Sequence, residues 1–276
     1  MIRVGTSFRA GLIPWLWDAG DAVQILEHSL DAFVVAGSDD GIRAARTCAA
    51  MGEFTLHSIG LSLGSPDALA RPQHLVEIRA VLDAMGTDEL SDHLAYSRVD
   101  DRRLYDFAPL WRVEEQLDLL CHNVDVVQDR LGARLVLENV ACLFDPGGDM
   151  TCAELANEVS RRTGARLLLD ISNTLINETN GFCVAAEEFA QLDLDAVVGV
   201  HLAGGEMSNG IMFDAHNSPV PTTDIEWLER LLPSLPNCTS VIIERDEKLQ
   251  QGYELVEDLR KVGAVVQRAA LVQSEA

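Results

Sequence analysis

The chain has 276 residues, of which 47% are hydrophobic and 24% charged, as is ordinary for a globular protein with a sizeable core. Its formal net charge of −23 argues against nucleic acid or an anionic membrane surface as a partner, because both would repel the chain. No apolar run reaches the roughly 20 residues that span a bilayer, and the start lacks a signal-peptide layout. We therefore expect a soluble, cytoplasmic protein.

Short apolar runs alternate with amphipathic patterns along the whole chain. The runs predict strands over 2–5, 32–36, 54–58, 90–95, 134–139, 166–170, 197–202 and 240–244. Helical spacing predicts helices over 40–51, 73–85, 113–131, 151–162, 227–232 and 253–271. Eight strands are the number that a (β/α)8 barrel needs, so we predict a single TIM-barrel domain over 1–276. A doubly wound sheet is the alternative, but no Gly-rich phosphate loop follows the first strand.

Five longer stretches have no regular pattern, and each follows a strand. They cover residues 10–20, 96–110, 140–150, 173–184 and 204–221. In a barrel they would lie on the C-terminal rim, where active sites are built. The six cysteines are scattered without CxxC spacing, so we expect reduced thiols rather than a disulfide framework.

Metal-capable side chains stand at the ends of successive predicted strands. These residues are His57, His93, Glu138, Asp170, His201 and Glu244. The smallest interval is 31 residues, from Asp170 to His201, and the largest is 45, from His93 to Glu138. Each interval fits about one strand-plus-helix unit. A barrel would bring these side chains into one ring, where unpaired buried carboxylates require a compensating cation.

Each of these residues taken singly also has a structural interpretation. A lone His at a strand end is commonly hydrogen-bonded core, and Glu244, Arg245 and Asp246 could form an ion-pair network. Six coincidences at one face of the barrel favour a metal site instead. The His and carboxylate donors favour iron, manganese or zinc, and their number suits two or three ions.

Several further residues are candidates around this ring. Asn173 lies one turn after Asp170, and Asp214 and His216 form a two-apart pair in the loop FDAHN. Asp92 is a candidate supporting partner of His93, and Arg245 a candidate for positioning a substrate carboxylate; both have a structural ion pair as the alternative. We expect three other histidines to lie in helices as surface or packing residues: His28, His74 and His122.

At these positions the chain resembles the multinuclear non-heme iron-dependent oxidative enzymes (MNIO), a former family of unknown function that includes enzymes of methanobactin and 3-thiaglutamate biosynthesis. The resemblance covers nearly the whole chain. Its motifs, in order, are HSIGLSLGS, SDHLAY, LVLENV, LLLDISNTLINETNG, VHLAGG, DAHNSPVP and VIIERD. It implies a xylose isomerase-like TIM barrel that uses two or three irons, in mixed Fe(II)/Fe(III) states, and dioxygen as co-substrate.

The resemblance also implies roles and partners. The six strand-end residues would form the main, catalytic di-iron site, and Asn173, Asp214 and His216 would complete a third position. The substrate would be a cysteine of a ribosomal precursor peptide, delivered by a small separate leader-binding protein in a heterodimer.

One position departs from the pattern of many relatives, which carry a second His directly after HLAG where this chain has Gly205. The HLAGG form is similar to the branch that makes 3-thiaglutamate by excising the β-carbon of a cysteine; oxazolone and thioamide formation is the neighbouring option. Two other functions remain open: a divalent-metal hydrolase or sugar isomerase, and a non-catalytic peptide-binding barrel.

Overall fold

The computed structural model describes residues 1–35, 38–99 and 102–275. The strands within these ranges are β1 Arg3–Ser7, β2 Ile25–Ser29, β3 Phe54–His57, β4 Glu89–His93, β5 Ala95–Val99, β6 Arg102–Pro109, β7 Arg134–Glu138, β8 Arg166–Asp170, β9 Val197–Ala203, β10 Glu206–Ser208, β11 Ile211–Phe213 and β12 Ser240–Glu244. The α-helices are α1 Ile13–Ala19, α2 Leu30–Val35, α3 Ser38–Ala49, α4 Pro72–Met85, α5 Glu114–Leu131, α6 Cys152–Thr163, α7 Ile171–Thr179, α8 Ala185–Gln191, α9 Thr222–Leu231 and α10 Gly252–Glu275.

Eight of the described strands close into a parallel barrel in the order β1-β12-β9-β8-β7-β4-β3-β2. The predicted TIM barrel is therefore confirmed. A capping box begins α6: the Thr151 side chain accepts a hydrogen bond from the backbone N–H of Glu154, and the Glu154 side chain accepts one from the backbone N–H of Thr151. No described helix combines the length and the apolar character needed to cross a membrane.

The predicted second strand is wrong. Residues 32–35 lie in α2, Ala36 lies outside the described residues, and the barrel strand is β2, at 25–29. The apolar run DAFVV resembles a buried strand, although it lies in α2, whose buried residues are Leu30 and Phe33. The true strand, ILEHS, carries two polar residues in its middle and therefore lacks the usual strand pattern.

The prediction of a helical His28 is wrong for the same reason. His28 lies in β2, is buried, and packs against three aromatic rings at centroid distances of 5.3–6.3 Å, those of Phe8, Phe33 and Phe54. Burial lowers the pKa of His28, which favours its neutral form. His28 is thus a packing residue.

Four of the five stretches without a predicted pattern contain regular structure. Residues 10–20 include α1, 96–110 form most of the antiparallel hairpin β5–β6, 173–184 include most of α7, and 204–221 include the hairpin β10–β11. Short hairpins and helices on a barrel rim are held by contacts with other segments, so local periodicity does not reveal them. Residues 140–150 form neither helix nor strand.

Side chains alternate between the two faces of the barrel wall. In β7, Leu135 and Leu137 pack into the main hydrophobic core together with the helices, whereas Val136 and Glu138 face the barrel interior. The same alternation in β8 sends Leu167 and Leu169 outward. Polar side chains can therefore occupy the ends of the inward rows without disturbing the core.

Candidate metal centre

The six predicted ligands come together at the C-terminal end of the barrel. His57, His93, Glu138, Asp170 and Glu244 are the last residues of β3, β4, β7, β8 and β12, and His201 lies in β9. Register matches His93 with Glu138 and Asp170 with His201 across neighbouring strands. The described His, Cys, Asp and Glu side chains form two groups with metal-ligand geometry, and these six residues make up both.

The first group, which we call the histidine-rich group, consists of His57, His93 and Glu138. One potential ligand atom from each residue lies within 4.8 Å of the others. Glu138 Oε2 is 3.6 Å from His57 Nε2 and 3.3 Å from His93 Nε2. Two imidazoles and one carboxylate are the ligand set of many non-heme Fe(II) oxygenases.

The second, carboxylate-rich group consists of Glu138, Asp170, His201 and Glu244. His201 Nδ1 is 3.1 Å from Glu138 Oε1 and 3.2 Å from Glu244 Oε2. Glu138 therefore belongs to both groups and presents a different oxygen to each. A carboxylate shared in this way can bridge two metal ions.

Hydrogen bonds prepare His57 to ligate through Nε2. Its Nδ1 is 2.8 Å from Ser91 Oγ, and Ser91 Oγ donates its proton to the Leu56 carbonyl at 3.2 Å. Ser91 therefore accepts from His57 Nδ1–H, which leaves the lone pair of Nε2 pointing toward Glu138.

Glu27 is a site residue that the sequence reasoning missed. Its Oε2 lies 3.1 Å from His201 Nε2 and accepts a 3.1 Å hydrogen bond from Thr55 Oγ1. Because the second strand was misplaced, Glu27 was not recognised as an inward-facing residue. The available signal was a Glu in an apolar run, ILEHS, 22 residues after the first predicted strand (Gly5 to Glu27).

The groups and the adjacent Asn173 contain buried polar atoms that have no hydrogen-bond partner in the described part of the chain: His93 Nδ1, Glu138 Oε2, Asp170 Oδ2, Asn173 Oδ1 and His201 Nδ1. Leaving such atoms unsatisfied costs about 1–3 kcal/mol each, and more for charged groups. A cation beside Glu138, Asp170 and His201 would satisfy these oxygens and the ring nitrogen together. The donor set thus fits a bound metal ion.

Electrostatics in the metal-free protein point the same way. Burial and the carboxylates of Asp214 and Glu138 raise the pKa of Asp170 well above its usual value. Burial opposes a charge on His201, but Glu27, Glu138 and Glu244 raise its pKa well above the usual value. Protons on Asp170 and His201 therefore supply the compensation that a metal ion would replace.

The residues predicted for a third metal position are near one another, but neither group includes Asp214 or His216. His216 Nε2 is 2.8 Å from Asp214 Oδ1 and 3.7 Å from Glu244 Oε2. His216 has a left-handed backbone with a φ of 48°, and its carbonyl accepts bonds from the amides of Asp246 and Glu247. Asn173 lines the cavity above the two groups, and its backbone N–H donates to Asp170 Oδ1 at 2.6 Å.

Asp92 and Arg245, the candidates for supporting His93 and for binding substrate, are not among the residues that line the cavity above the two groups. Asp92 is fully buried and accepts hydrogen bonds from the amides of Leu61 and His93. Arg245 is also buried and forms an ion pair with Glu254. Both directly adjoin inward-facing ligands, so strand alternation points them to the opposite face.

A cavity of about 600 Å³ opens above the metal-capable groups. His57, His93, Glu138 and Glu244 line it, and Asp170 and His201 lie beneath. One wall comes from β6, whose register against β5 shifts so that four residues, 104–107, stand opposite Ser97. This bulge brings the ring of Phe107 to 3.9 Å from that of His93.

Comparison with known proteins agrees with this geometry. The family model for the RiPP precursor modification enzyme MbnB/TglH/ChrH matches residues 3–267. The chain belongs to this family. The predicted MNIO membership is therefore confirmed. RiPPs are ribosomally synthesised and post-translationally modified peptides, so the enzymes of this family have precursor peptides as substrates.

Proteins similar to this chain in sequence include UPF0276 proteins. That of Rhizorhabdus wittichii is 31% identical over 245 residues, covering 88% of this chain and 86% of the relative. That of Neisseria gonorrhoeae is 29% identical over 262 residues, covering 91% and 92%.

Solved structures show the fold alone, since their sequence identities are low. L-ribulose 3-epimerase gives a TM-score of 0.65 at 16% identity, covering 99% of this chain and 97% of that one. A xylose isomerase domain protein from Planctomyces limnophilus gives 0.64 at 14%, covering 98% of each. The xylose isomerase-like barrel is therefore confirmed.

The departure at Gly205 has a structural correlate. A Cβ built at Gly205 would lie 2.6 Å from the Phe213 carbonyl oxygen and 3.3 Å from Met212 Sδ. The hairpin β10–β11 thus occupies the space that a side chain would need. A histidine at this position would require a different path for the hairpin. With Gly205, this chain has no imidazole there to contact a metal.

Proposed function

We propose that this enzyme binds two or three iron ions, in mixed Fe(II)/Fe(III) states, and uses dioxygen to modify a cysteine of a ribosomally synthesised precursor peptide. The observation that carries the proposal is Glu138, which joins two groups of nitrogen and oxygen donors beneath an open cavity. Bound by these ligands, iron would supply the redox chemistry that an oxidation of the peptide by dioxygen requires.

The unequal ligand groups support iron in two states. Two histidines and a single carboxylate suit Fe(II) with open coordination positions. Three carboxylates around His201 place more negative charge on the second ion, which favours Fe(III). Asn173, Asp214 and His216 are our candidates for a third ion.

The position of the histidine-rich group supports a role in binding the peptide thiol. His57 and His93 line the cavity, so both imidazoles of this group are within reach of a cysteine side chain that enters it, whereas His201 of the other group does not line it. Phe107 covers one face of His93 and restricts water on that side. The protein's own task is then to hold the ligands, orient the thiol and exclude solvent.

Two cavity-lining cations replace Arg245 as candidates to bind a substrate carboxylate. Arg9 and Arg103 both line the cavity. Arg9 pairs with Asp246 at 2.6 Å and Arg103 with Asp31 at 3.2 Å, so each is held at the rim. A small separate leader-binding protein would deliver the peptide, and β-carbon excision or oxazolone and thioamide formation are the candidate reactions.

The test is anaerobic loading with Fe(II), followed by mixing with a cysteine-containing precursor encoded beside the gene and mass spectrometry with and without dioxygen. We expect a mass change that requires both iron and dioxygen, with no change in a Cys→Ser peptide or with His93→Ala. Activity with zinc or manganese that ignores dioxygen would instead favour a hydrolase or isomerase.

A further inference from the structure

Glu27 reaches the metal centre from across the barrel. It lies in β2, which the closed order separates from β9 by β12 and β1, yet its Oε2 is 3.1 Å from His201 Nε2 in β9. Both side chains are buried, with 4% of Glu27 and 0% of His201 exposed. The contact therefore spans the barrel interior beside the carboxylate-rich group, and Glu27 also lines the open cavity.

We propose that Glu27 is a positioning residue that fixes the orientation and tautomer of His201, so that Nδ1 is the ligand atom of the carboxylate-rich group. An ionised carboxylate only accepts hydrogen bonds, so His201 Nε2 must carry the proton. Nδ1 then faces Glu138 Oε1 and Glu244 Oε2, 3.1 and 3.2 Å away, and its lone pair becomes available as a ligand when a cation among these carboxylates replaces the Nδ1 proton. This inference rests on the proposed metal centre.

The surroundings explain why His201 needs such a partner. A cavity of about 60 Å³ adjoins His201, and small or polar residues line part of it (Thr55, Ser91, Gly199 and Ser240), alongside larger apolar residues such as Val136 and Leu168. Barrel interiors are usually filled by Val, Ile or Leu, which would confine a ring by packing. Here a hydrogen bond takes over that task, and Thr55 in turn anchors Glu27.

The histidine-rich group offers a matched case. Ser91 holds His57 through Nδ1, leaving Nε2 to ligate, whereas Glu27 holds His201 through Nε2, leaving Nδ1. Each group thus has its own positioning residue. A change in Glu27 should weaken iron at the carboxylate-rich group, and a change in Ser91 should weaken iron at the histidine-rich group.

Anaerobic titration with Fe(II), measured by equilibrium dialysis and metal analysis, tests this separation. In a His93→Ala background, where the carboxylate-rich group stays complete, Glu27→Ala should weaken iron binding on the order of 10–100-fold. In an Asp170→Asn background, where the histidine-rich group stays complete, Glu27→Ala should leave affinity unchanged and Ser91→Ala should lower it.

Glu27→Gln keeps an oxygen acceptor of the same shape and should weaken binding at the carboxylate-rich group by only about five-fold. If Glu27→Ala does not fold, this variant decides, and an unchanged affinity contradicts the proposal. Equal loss at both groups also contradicts it, because Glu27 would then act on the whole barrel. A wild-type protein that binds no iron would refute the proposed function itself, whereas iron binding indifferent to Glu27 refutes this inference alone.

Discussion

The two ligand groups share Glu138 but differ in almost everything else. The histidine-rich group has two imidazoles and one carboxylate, whereas the carboxylate-rich group has three carboxylates and one imidazole. All three members of the first line the open cavity, whereas in the second only Glu138 and Glu244 line it, and Asp170 and His201 are fully buried. We therefore propose that an ion held by the histidine-rich group (the outer ion) would meet substrate, and that an ion held by the carboxylate-rich group (the deeper ion) would carry the higher charge.

The support around the groups differs in the same direction. A neutral hydroxyl, Ser91, orients His57, whereas a buried carboxylate, Glu27, orients His201. A charged acceptor forms the stronger hydrogen bond and makes the imidazole a stronger donor to metal. We therefore expect the carboxylate-rich, deeper group to bind its ion more tightly, and the histidine-rich, outer group to leave room for ligand exchange.

Replacing the shared residue should have the largest effect. In Glu138→Gln both groups lose their common carboxylate charge, so we expect affinity for both ions to fall at least about 100-fold and peptide modification to disappear. Metal analysis and mass spectrometry measure the two quantities. Asp83→Asn, an exposed change on α4, is the control. Full iron content in Glu138→Gln would break the idea of a shared ligand.

Single-group variants should each remove one ion. We expect His93→Ala to lose the outer ion and Asp170→Asn the deeper one, so that each protein binds one iron fewer than wild type. Mössbauer spectra of ⁵⁷Fe-loaded protein should then lack different components in the two variants. Identical spectra would mean that the groups are not separate sites.

The groups should also differ in proton release when iron binds. Burial and neighbouring His57 lower the pKa of His93, so this ring is already neutral near pH 7. The raised pKa values of His201 and Asp170 mean that metal must displace protons from the deeper group. Below those pKa values, affinity at the deeper group should therefore rise with pH.

Calorimetry in buffers of different ionisation enthalpy can count these protons. Asp170→Asn, which retains only the histidine-rich group, should release fewer protons per iron than His93→Ala. The opposite ranking would contradict the assignment of protons to the deeper group.

The smallest expected effect concerns the wall of the cavity. Phe107→Leu removes the ring packed on His93 but no ligand atom, so we expect iron content to stay unchanged and peptide modification to fall several-fold. Single-turnover mass spectrometry against wild type measures the change. Loss of the outer iron would show instead that Phe107 supports the ligand geometry.

Sequence reasoning located the ligands because each stands at the end of a parallel strand, and such ends meet on one rim. It misplaced β2, since ILEHS lacks a strand pattern. The residue that breaks the pattern is Glu27, which faces inward because it contacts His201 of another strand. Glu27 was missed together with β2. The hairpin β5–β6 depends on contacts such as the Ser62 hydroxyl accepting from the amides of Ser97 and Arg98, which local sequence does not specify.

For Asp92 and Arg245 the sequence did contain a usable signal. Residues adjacent to an inward-facing ligand in a strand must face outward, so His93 and Glu244 excluded their neighbours from the cavity. The tautomers of His57 and His201 could not be predicted from sequence. The role of Ser91 depends on the pairing of β3 with β4, and that of Glu27 on the contact between β2 and β9 across the barrel.

Anomalous diffraction at the iron edge, from crystals loaded anaerobically with Fe(II), tests the central claim most directly. We expect two strong peaks, both beside Glu138: one between His57 and His93, and the other among Asp170, His201 and Glu244. A single peak, or iron bound away from Glu138, would contradict it.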